Sequence, residues 1–175
     1  MRGVSVSSDQ ERASLRRVRV LFVCLGNICR SPVAEGVFRD LVERAGLGGR
    51  VEVESAGTAS YHAGEGRDPR AVAVARRRGI ELVGTARAVT ARDLTRFDLI
   101  LAMDAENLAD LRRLAAGNGA AVELRLLREF DPGASGELDI PDPYYGGARG
   151  FEDVHDIVER SCHGLLEHVR RTWGL

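Results

Sequence analysis

Two residue types that can act together on a phosphate group, a cysteine and an arginine, stand six positions apart at Cys24 and Arg30. A cysteine thiolate is a strong nucleophile, and the planar guanidinium of arginine can bind two phosphate oxygens at once. The spacing alone is weak evidence, because all 25 basic residues are arginines and about one residue in seven is therefore Arg. The surrounding sequence has to decide whether the pair acts together.

The segment between these two residues is typical of a loop that joins a strand to a helix. Residues 18–23 form a short, apolar, β-branched run that predicts a buried strand. Ser31 and Pro32 are typical of a helix start, since Ser can cap the helix and Pro at its first position loses no hydrogen bond. A loop in this position can direct its N–H groups at an anion.

The residue types within the loop suit an anion-binding conformation. Gly26 and Asn27 tolerate the positive φ that such a loop requires. The backbone N–H groups of residues 25–30 would then surround the anion, and the same positive surroundings favour the thiolate form of Cys24. The Ser31 hydroxyl is placed to donate a further hydrogen bond to that thiolate. We therefore expect a phosphate-binding loop with a reactive cysteine.

Strand-like and helix-like segments alternate along the rest of the chain. Strands are predicted at 18–23, 51–55, 97–103 and 122–127; helices are predicted to start near 31, 68, 104 and 151, the last after a loop at 131–150. This alternation predicts one α/β domain with a doubly wound, parallel central sheet of about four strands and helices on both faces. Ligands bind beyond the carboxyl ends of such strands, where Cys24 would lie.

The bulk composition fits this organisation. With 175 residues and 44% apolar content, the chain suits one globular domain at 18–175, preceded by a polar, mostly disordered tail at 1–17 in which a short helix can open near Ser8 and Asp9. The net charge of -1 favours neither nucleic acid nor an anionic membrane as a partner. We see no secretory signal or membrane-spanning run, and three cysteines make no disulfide framework, so we expect a cytoplasmic location.

Four segments make the sequence resemble the low-molecular-weight protein-tyrosine phosphatases. They are VCLGNICRSP at 23–32, SAGT at 55–58, MDxxN at 103–107 and DPYY at 142–145. The first is similar to the phosphate-binding loop of that family, and the last to its acid loop. The likeness runs in one register from about residue 18 to the C-terminus, and two separated motifs in the expected order are far more specific than either alone.

The resemblance implies a hydrolysis in two steps through a phosphocysteine. Cys24 would attack phosphorus, Arg30 would bind the phosphoryl oxygens, and Asp142 would protonate the leaving oxygen and then activate water. Spacing alone does not distinguish Asp142 from the other late carboxylates, which are Asp131, Glu137, Asp139, Glu152 and Asp153. The match to the family motif selects Asp142.

Further residues are expected around the mouth of the site. In the family, aromatic residues at the positions of Tyr61, Tyr144 and Tyr145 flank the cleft, although at least one of them can instead pack into the core. Leu25 and Ile28 would form apolar walls. The residues expected to contact phosphate or substrate are therefore Leu25, Gly26, Asn27, Ile28, Cys29, Ser31, Tyr61, Tyr144 and Tyr145.

For the other two cysteines and for the histidines, the sequence gives weaker evidence of a functional role. The resemblance implies that Cys29 can form a reversible disulfide with the nucleophile, whereas Cys162 is expected to be an inert, buried thiol. His163 and His168 lack metal-ligand spacing, and His62 is expected to be an exposed loop residue. We therefore predict catalysis without a metal or other cofactor.

Three other functions remain open. Thioredoxin-coupled arsenate reductases share this loop but need additional downstream cysteines, of which only Cys162 is present. Protein-arginine phosphatases resemble the loop but tend to carry Thr at the position of Ile28. A silent phosphate-binding module is disfavoured by the intact Cys24, Arg30 and Asp142. We expect phosphotyrosine-containing proteins as substrates and a monomer or weak dimer.

Overall fold

The computed structural model describes residues 16–175. The predicted tail at 1–17, with its short helix near Ser8 and Asp9, lies outside the described residues except for Arg16 and Arg17. The domain boundary at residue 18 therefore stays a prediction.

The core of the fold is a four-stranded, entirely parallel sheet. Its strands are β1 (Val18–Cys24), β2 (Val51–Gly57), β3 (Leu99–Ala102) and β4 (Glu123–Leu126), in the order β2-β1-β3-β4. The chain leaves β1 toward one edge to form β2 and later returns to its other side as β3. The carboxyl end of β1 is thus the switch point at which parallel α/β sheets bind ligands.

Helices cover both faces of this sheet, as predicted. They are α1 (Arg30–Arg44), α2 (Pro69–Arg77), α3 (Asp93–Arg96), α4 (Ala105–Asn118) and α5 (Ala148–Trp173), with a 3₁₀ turn at Leu127–Phe130. Successive β1 side chains alternate between the two faces. Phe22 packs into the core shared with α1, α2 and α5, and Leu21 packs into the core shared with α4.

Several boundaries differ from the sequence-based expectation. Strand β3 is shorter than 97–103, and helix α5 begins at Ala148 rather than near Phe151 because Gly147 already has the extended conformation of a residue preceding a helix. Helix α3 was not predicted. It follows Thr90, whose N–H donates to the buried carboxylate of Asp93 (2.8 Å). The helix has no side-chain cap, and its four residues are too few to show an apolar period.

The predicted capping role of Ser31 is wrong. Helix α1 starts at Arg30 without any side-chain cap, which places Pro32 third rather than first. The Ser31 hydroxyl instead contacts the sulfur of Cys24. By contrast, the predicted start of α2 is confirmed, since Asp68 caps it and Pro69 is its first residue. Within residues 16–175, every helix is too short or too polar to span a bilayer.

Candidate active site

A cavity of about 280 Å³ opens at the carboxyl end of β1. It is lined by Cys24, Leu25, Gly26, Ile28, Cys29, Arg30, Tyr61, His62, Asp142, Tyr144 and Tyr145. All but two of the residues expected at the site therefore line this cavity. The two exceptions, Asn27 and Ser31, are buried behind the loop. The volume is at the lower end of the range for small-molecule sites, which suits a single phosphorylated side chain.

The sulfur of Cys24 lies at the base of this cavity and is almost fully buried. The Ser31 hydroxyl oxygen is 3.0 Å from it, and the N–H of Asn27 donates to it at 3.3 Å. The Ser31 oxygen accepts a hydrogen bond from the Asn27 amide (2.9 Å), and its own hydrogen can point at the sulfur or at the Ala56 carbonyl oxygen, which is 3.3 Å away. Both contacts favour a negatively charged sulfur.

The backbone of the loop depends on Asn27 more than on Gly26. Among the described residues other than glycine, Asn27 alone has a positive φ (56°), whereas Gly26 does not adopt one, so the expectation of a positive φ holds for only one of the two. Gly26 is needed for space instead: a Cβ there would lie 2.9 Å from the ring of His62. The Asn27 amide also donates to Ser55 (3.0 Å), which ties the loop to the end of β2.

The guanidinium of Arg30 is buried and held from two sides. Its Nη1 donates to the Asp104 carboxylate (2.6 Å) and to the carbonyl of Ile140 (2.9 Å). Burial disfavours the charge of Arg30, but the charges of Cys24 and Asp104 outweigh this effect and raise the pKa of the guanidinium. Its Nη2 is 3.5 Å from the Asp142 carboxylate. The group is thus fixed beside the cysteine with its charge intact.

The sequence predicted a helix start near Asp104 and placed this residue in the MDxxN segment at 103–107, but it assigned Asp104 no contact in the site. The residue does cap α4, since one carboxylate oxygen accepts from the N–H of Asn107 (2.8 Å), while the other holds Arg30. Asp104 follows β3, the strand beside β1, and this position in the sequence could have indicated a residue of the site. Residues at the carboxyl ends of neighbouring parallel strands meet at one edge of the sheet.

Asp142 lies at the mouth of the cavity with its side chain 40% exposed. One of its oxygens accepts from the N–H of Tyr144 (3.1 Å). Four of the other late carboxylates are occupied elsewhere: Asp131 binds Arg160, Glu137 accepts from the N–H of Asp139, Asp139 accepts from the N–H of Ala105, and Glu152 pairs with Arg77 and Arg78. Among the described residues, Asp142 is the one late carboxylate that lines the cavity.

Three aromatic rings and a histidine form the rim of the cavity. Tyr61 and Tyr145 are exposed, while Tyr144 is half-buried against the core, which answers the open question of which tyrosine packs inward. The ring centroids of Tyr144 and Tyr145 are 4.8 Å apart, and that of His62 is 4.7 Å from Tyr61. The rim offers an apolar wall to a flat ring.

The expectation that His62 is an exposed loop residue was wrong. Its side chain is 20% exposed and packs between the rim tyrosines, with Nδ1 2.6 Å from the Glu65 carboxylate. No spacing rule identifies it, because its loop has no periodicity. The loop is anchored to the phosphate loop by backbone hydrogen bonds, among them the one from Ala59 N–H to the Leu25 carbonyl (3.0 Å).

Cys29 is buried in the cavity wall beside the carboxylate of Asp68. Burial and the negative charge of Asp68 both raise the pKa of the Cys29 thiol, so that it is protonated near neutral pH. Cys162 is fully buried in α5, and burial raises the pKa of its thiol as well. Within residues 16–175, no three His, Cys, Asp or Glu side chains converge as metal ligands would.

A buried cysteine beneath a strand–loop–helix turn, with a fixed guanidinium beside it and a carboxylate at the mouth, defines a cysteine-dependent phosphatase. Residues 19–173 match the family model described as low molecular weight phosphotyrosine protein phosphatase. The low molecular weight protein-tyrosine-phosphatase of Streptomyces coelicolor is 54% identical over 153 residues, which cover 87% of this chain and 93% of that protein. The chain belongs to the low molecular weight phosphotyrosine protein phosphatase family.

Solved structures agree with the fold. The crystal structure of YfkJ from Bacillus subtilis superimposes with a TM-score of 0.82 at 40% identity, covering 89% of this chain and 96% of that chain. DARP, described as the Drosophila arginine phosphatase, superimposes with a TM-score of 0.82 at 33% identity, covering 86% of this chain and 97% of that one. The predicted family, the α/β fold and the enzyme class, a protein-tyrosine phosphatase, are confirmed.

Proposed function

We propose that this protein hydrolyses phosphotyrosine in proteins through a phosphocysteine on Cys24, with Arg30 as the phosphate ligand and Asp142 as the general acid. The observation that carries the proposal is the convergence of these three groups on one cavity with an aromatic rim. Membership of the family supports the same chemistry. Membership of the family implies that the substrates are phosphoproteins. That the phosphorylated residue is tyrosine is part of the proposal.

In the first step, the thiolate of Cys24 attacks phosphorus and the bond from phosphorus to the tyrosine oxygen breaks. Asp142 gives its proton to that oxygen, so that a neutral phenol leaves. The phosphoryl oxygens carry most of the negative charge, and the guanidinium of Arg30 is fixed to bind them in pairs. Its anchors on Asp104 and Ile140 remove the need to order it during the reaction.

In the second step, Asp142 is a carboxylate and takes a proton from water. The resulting hydroxide attacks phosphorus, the bond from sulfur to phosphorus breaks, and inorganic phosphate forms. The departing sulfur returns as a thiolate, which the Ser31 hydroxyl and the Asn27 N–H stabilise. Rapid quenching of turnover with an alkaline denaturant should trap up to about one phosphoryl group on Cys24, because the S–P bond is stable in alkali.

A turnover panel tests the choice of substrate. Peptides carrying phosphotyrosine, phosphoserine and phosphoarginine should be compared by kcat/KM, with arsenate reduction assayed in parallel. Phosphotyrosine should be the best substrate, because its ring can fill the space between Ile28 and the rim tyrosines. A higher kcat/KM for phosphoarginine, or arsenate reduction without hydrolysis, would contradict the proposal.

The similarity to an arginine phosphatase makes Ile28 the residue to test for specificity. Its branched side chain lines the cavity and can contact a phenyl ring, but it offers no hydrogen bond to a guanidinium. We expect Ile28→Thr to lower the phosphotyrosine kcat/KM and raise the phosphoarginine kcat/KM, with a change in their ratio of about tenfold or more. Leu25→Thr at the exposed edge of the same wall serves as the control. An unchanged ratio in Ile28→Thr would exclude Ile28 as the selector.

A second test concerns the proposed redox role of Cys29. Peroxide would convert the Cys24 thiolate to a sulfenic acid, which the Cys29 thiol can attack to form a disulfide and release water. The proton of the Cys29 thiol leaves with the sulfenic hydroxyl as water. The wild type should regain activity with a thiol reductant, and mass spectrometry should show the Cys24–Cys29 bond.

The matched variants are Cys29→Ser and Cys162→Ser. We expect Cys29→Ser to recover several-fold less activity after the same exposure, because its sulfenic acid oxidises further to irreversible forms. Cys162→Ser should recover like the wild type, since Cys162 is buried in α5 and does not line the cavity. Equal recovery of all three proteins would leave Cys29 without this role.

We also propose a cytoplasmic location and a monomer or weak dimer. Cys24, Cys29 and Cys162 are all free thiols, which suits a reducing compartment. Sedimentation at increasing protein concentration measures the association directly, and cell fractionation tests the location.

A further inference from the structure

An arginine that lines no part of the cavity is buried directly behind the phosphate loop. The side chain of Arg67 is only 6% exposed. Its Nη1 donates to both oxygens of Asn27, the backbone carbonyl at 2.7 Å and the side-chain amide oxygen at 3.0 Å, and its Nε donates to the carbonyl of Val83 at 3.1 Å. Asn27 is the residue with the positive φ on which the loop conformation depends.

The charge of Arg67 is balanced inside the protein. Its Nη2 lies 3.6 Å from the buried carboxylate of Glu35. Glu35 accepts a hydrogen bond from Ser55, and Ser55 in turn accepts from the Asn27 amide. The four side chains therefore form a closed circuit behind the loop. Arg39 also pairs with Glu35, but it is more exposed and donates to Val53 rather than to the loop.

Resting on the function proposed above, we propose that Arg67 is a positioning residue that holds Asn27 in the left-handed conformation required for phosphate binding. The two bonds from one nitrogen fix the backbone and the side chain of Asn27 relative to each other. This arrangement directs the Asn27 N–H at the Cys24 sulfur and its amide nitrogen at Ser31.

The electrostatics of the circuit agree with this role. Burial lowers the pKa of Arg67, and the charges of Glu35 and Cys24 oppose that effect. A guanidinium stays protonated in proteins, so Arg67 places a positive charge behind the loop as well as a pair of hydrogen bonds. Neutral substitutes lose the charge, and a lysine keeps it but cannot reproduce the planar set of donors.

The test compares Arg67→Met and Arg67→Lys with Arg39→Met as the matched control. Arg67→Met should reduce phosphotyrosine kcat/KM by about 10- to 100-fold, mainly through kcat, because the loop no longer holds its reactive geometry. Inorganic phosphate binding, measured by calorimetry, should weaken about tenfold. Arg67→Lys should recover part of both losses. Arg39→Met, which removes a partner of Glu35 but no contact to Asn27, should stay within about threefold of wild type.

The double variant Glu35→Gln/Arg67→Met separates positioning from simple charge balance. It removes the buried Glu35 carboxylate, which in Arg67→Met keeps only the more exposed Arg39 as a cationic partner, and should therefore restore thermal stability relative to Arg67→Met. We expect kcat/KM and phosphate affinity to remain low in this stable protein. If both return to wild-type values, or if Arg39→Met loses as much as Arg67→Met, Arg67 only neutralises Glu35 and the inference is overturned. Phosphate binding is measured without turnover, so this result is independent of whether phosphotyrosine is the substrate.

Discussion

Replacing Cys24 by serine should reduce the hydrolysis of phosphotyrosine to the uncatalysed background, a loss on the order of 10⁴-fold or more. A serine hydroxyl has nearly the shape of the thiol but is not ionised at neutral pH, and within residues 16–175 the hydrogen-bond partners of the Cys24 sulfur include no basic side chain that could remove its proton. The two contacts that stabilise an anionic sulfur, from Ser31 and Asn27, do not supply a base. The reaction would lose its nucleophile and keep its binding site.

Binding measurements make this result specific. Vanadate and inorganic phosphate should still bind to Cys24→Ser, because Arg30 and its anchors on Asp104 and Ile140 are unchanged. Cys162→Ser is the control for a buried cysteine elsewhere in the fold, and it should keep nearly full activity. Substantial turnover by purified Cys24→Ser would show that another group attacks phosphorus. If Cys24→Ser lost both anion binding and turnover, the result would instead indicate a damaged phosphate loop.

The strand order explains why local sequence was sufficient to find Cys24 and Arg30. Both belong to one continuous strand–loop–helix unit at 18–44, where apolar pattern, small loop residues and spacing all act over short distances. The alternation of strands and helices predicts that the unit lies at the carboxyl edge of a parallel sheet, whereas its place at the switch point is seen only in the strand order of the structure. The central sheet and its reactive edge were therefore predictable without long-range information.

Local sequence patterns could not predict residues that contact the site from distant positions in the sequence. Asp104 holds Arg30 across 74 positions, and Arg67 holds Asn27 across 40. His62 and Arg67 both belong to the aperiodic loop after β2, which carries no helix or strand signal. Asp142 was selected by resemblance to a family motif, since its own surroundings in sequence contain several equivalent carboxylates.

Among the described residues, Asp142 is the one late carboxylate that lines the cavity, and the proposed role as general acid predicts a specific dependence on the leaving group. General acid catalysis is typically worth about 10²- to 10⁴-fold, and its value grows with the basicity of the leaving oxygen. Asp142→Ala should therefore slow phosphoenzyme formation steeply for phenyl phosphate, because its leaving group without a proton donor is the strongly basic phenolate. The loss should be much smaller for nitrophenyl phosphate, whose leaving group is a stabilised anion.

Pre-steady-state bursts should be followed for both substrates, because the later hydrolysis of the phosphocysteine can mask the first step. Asp153→Ala is the matched control, an exposed carboxylate outside the cavity, and it should leave both bursts unchanged. If Asp142→Ala slows both leaving groups equally, Asp142 only orders its loop through the N–H of Tyr144. The structure disfavours Asp131 and Asp139 as replacement acids, because Asp131 is bound to Arg160 and Asp139 to the N–H of Ala105. An equal loss would therefore mean that the leaving oxygen takes its proton from water or from a group that moves into the cavity with the substrate.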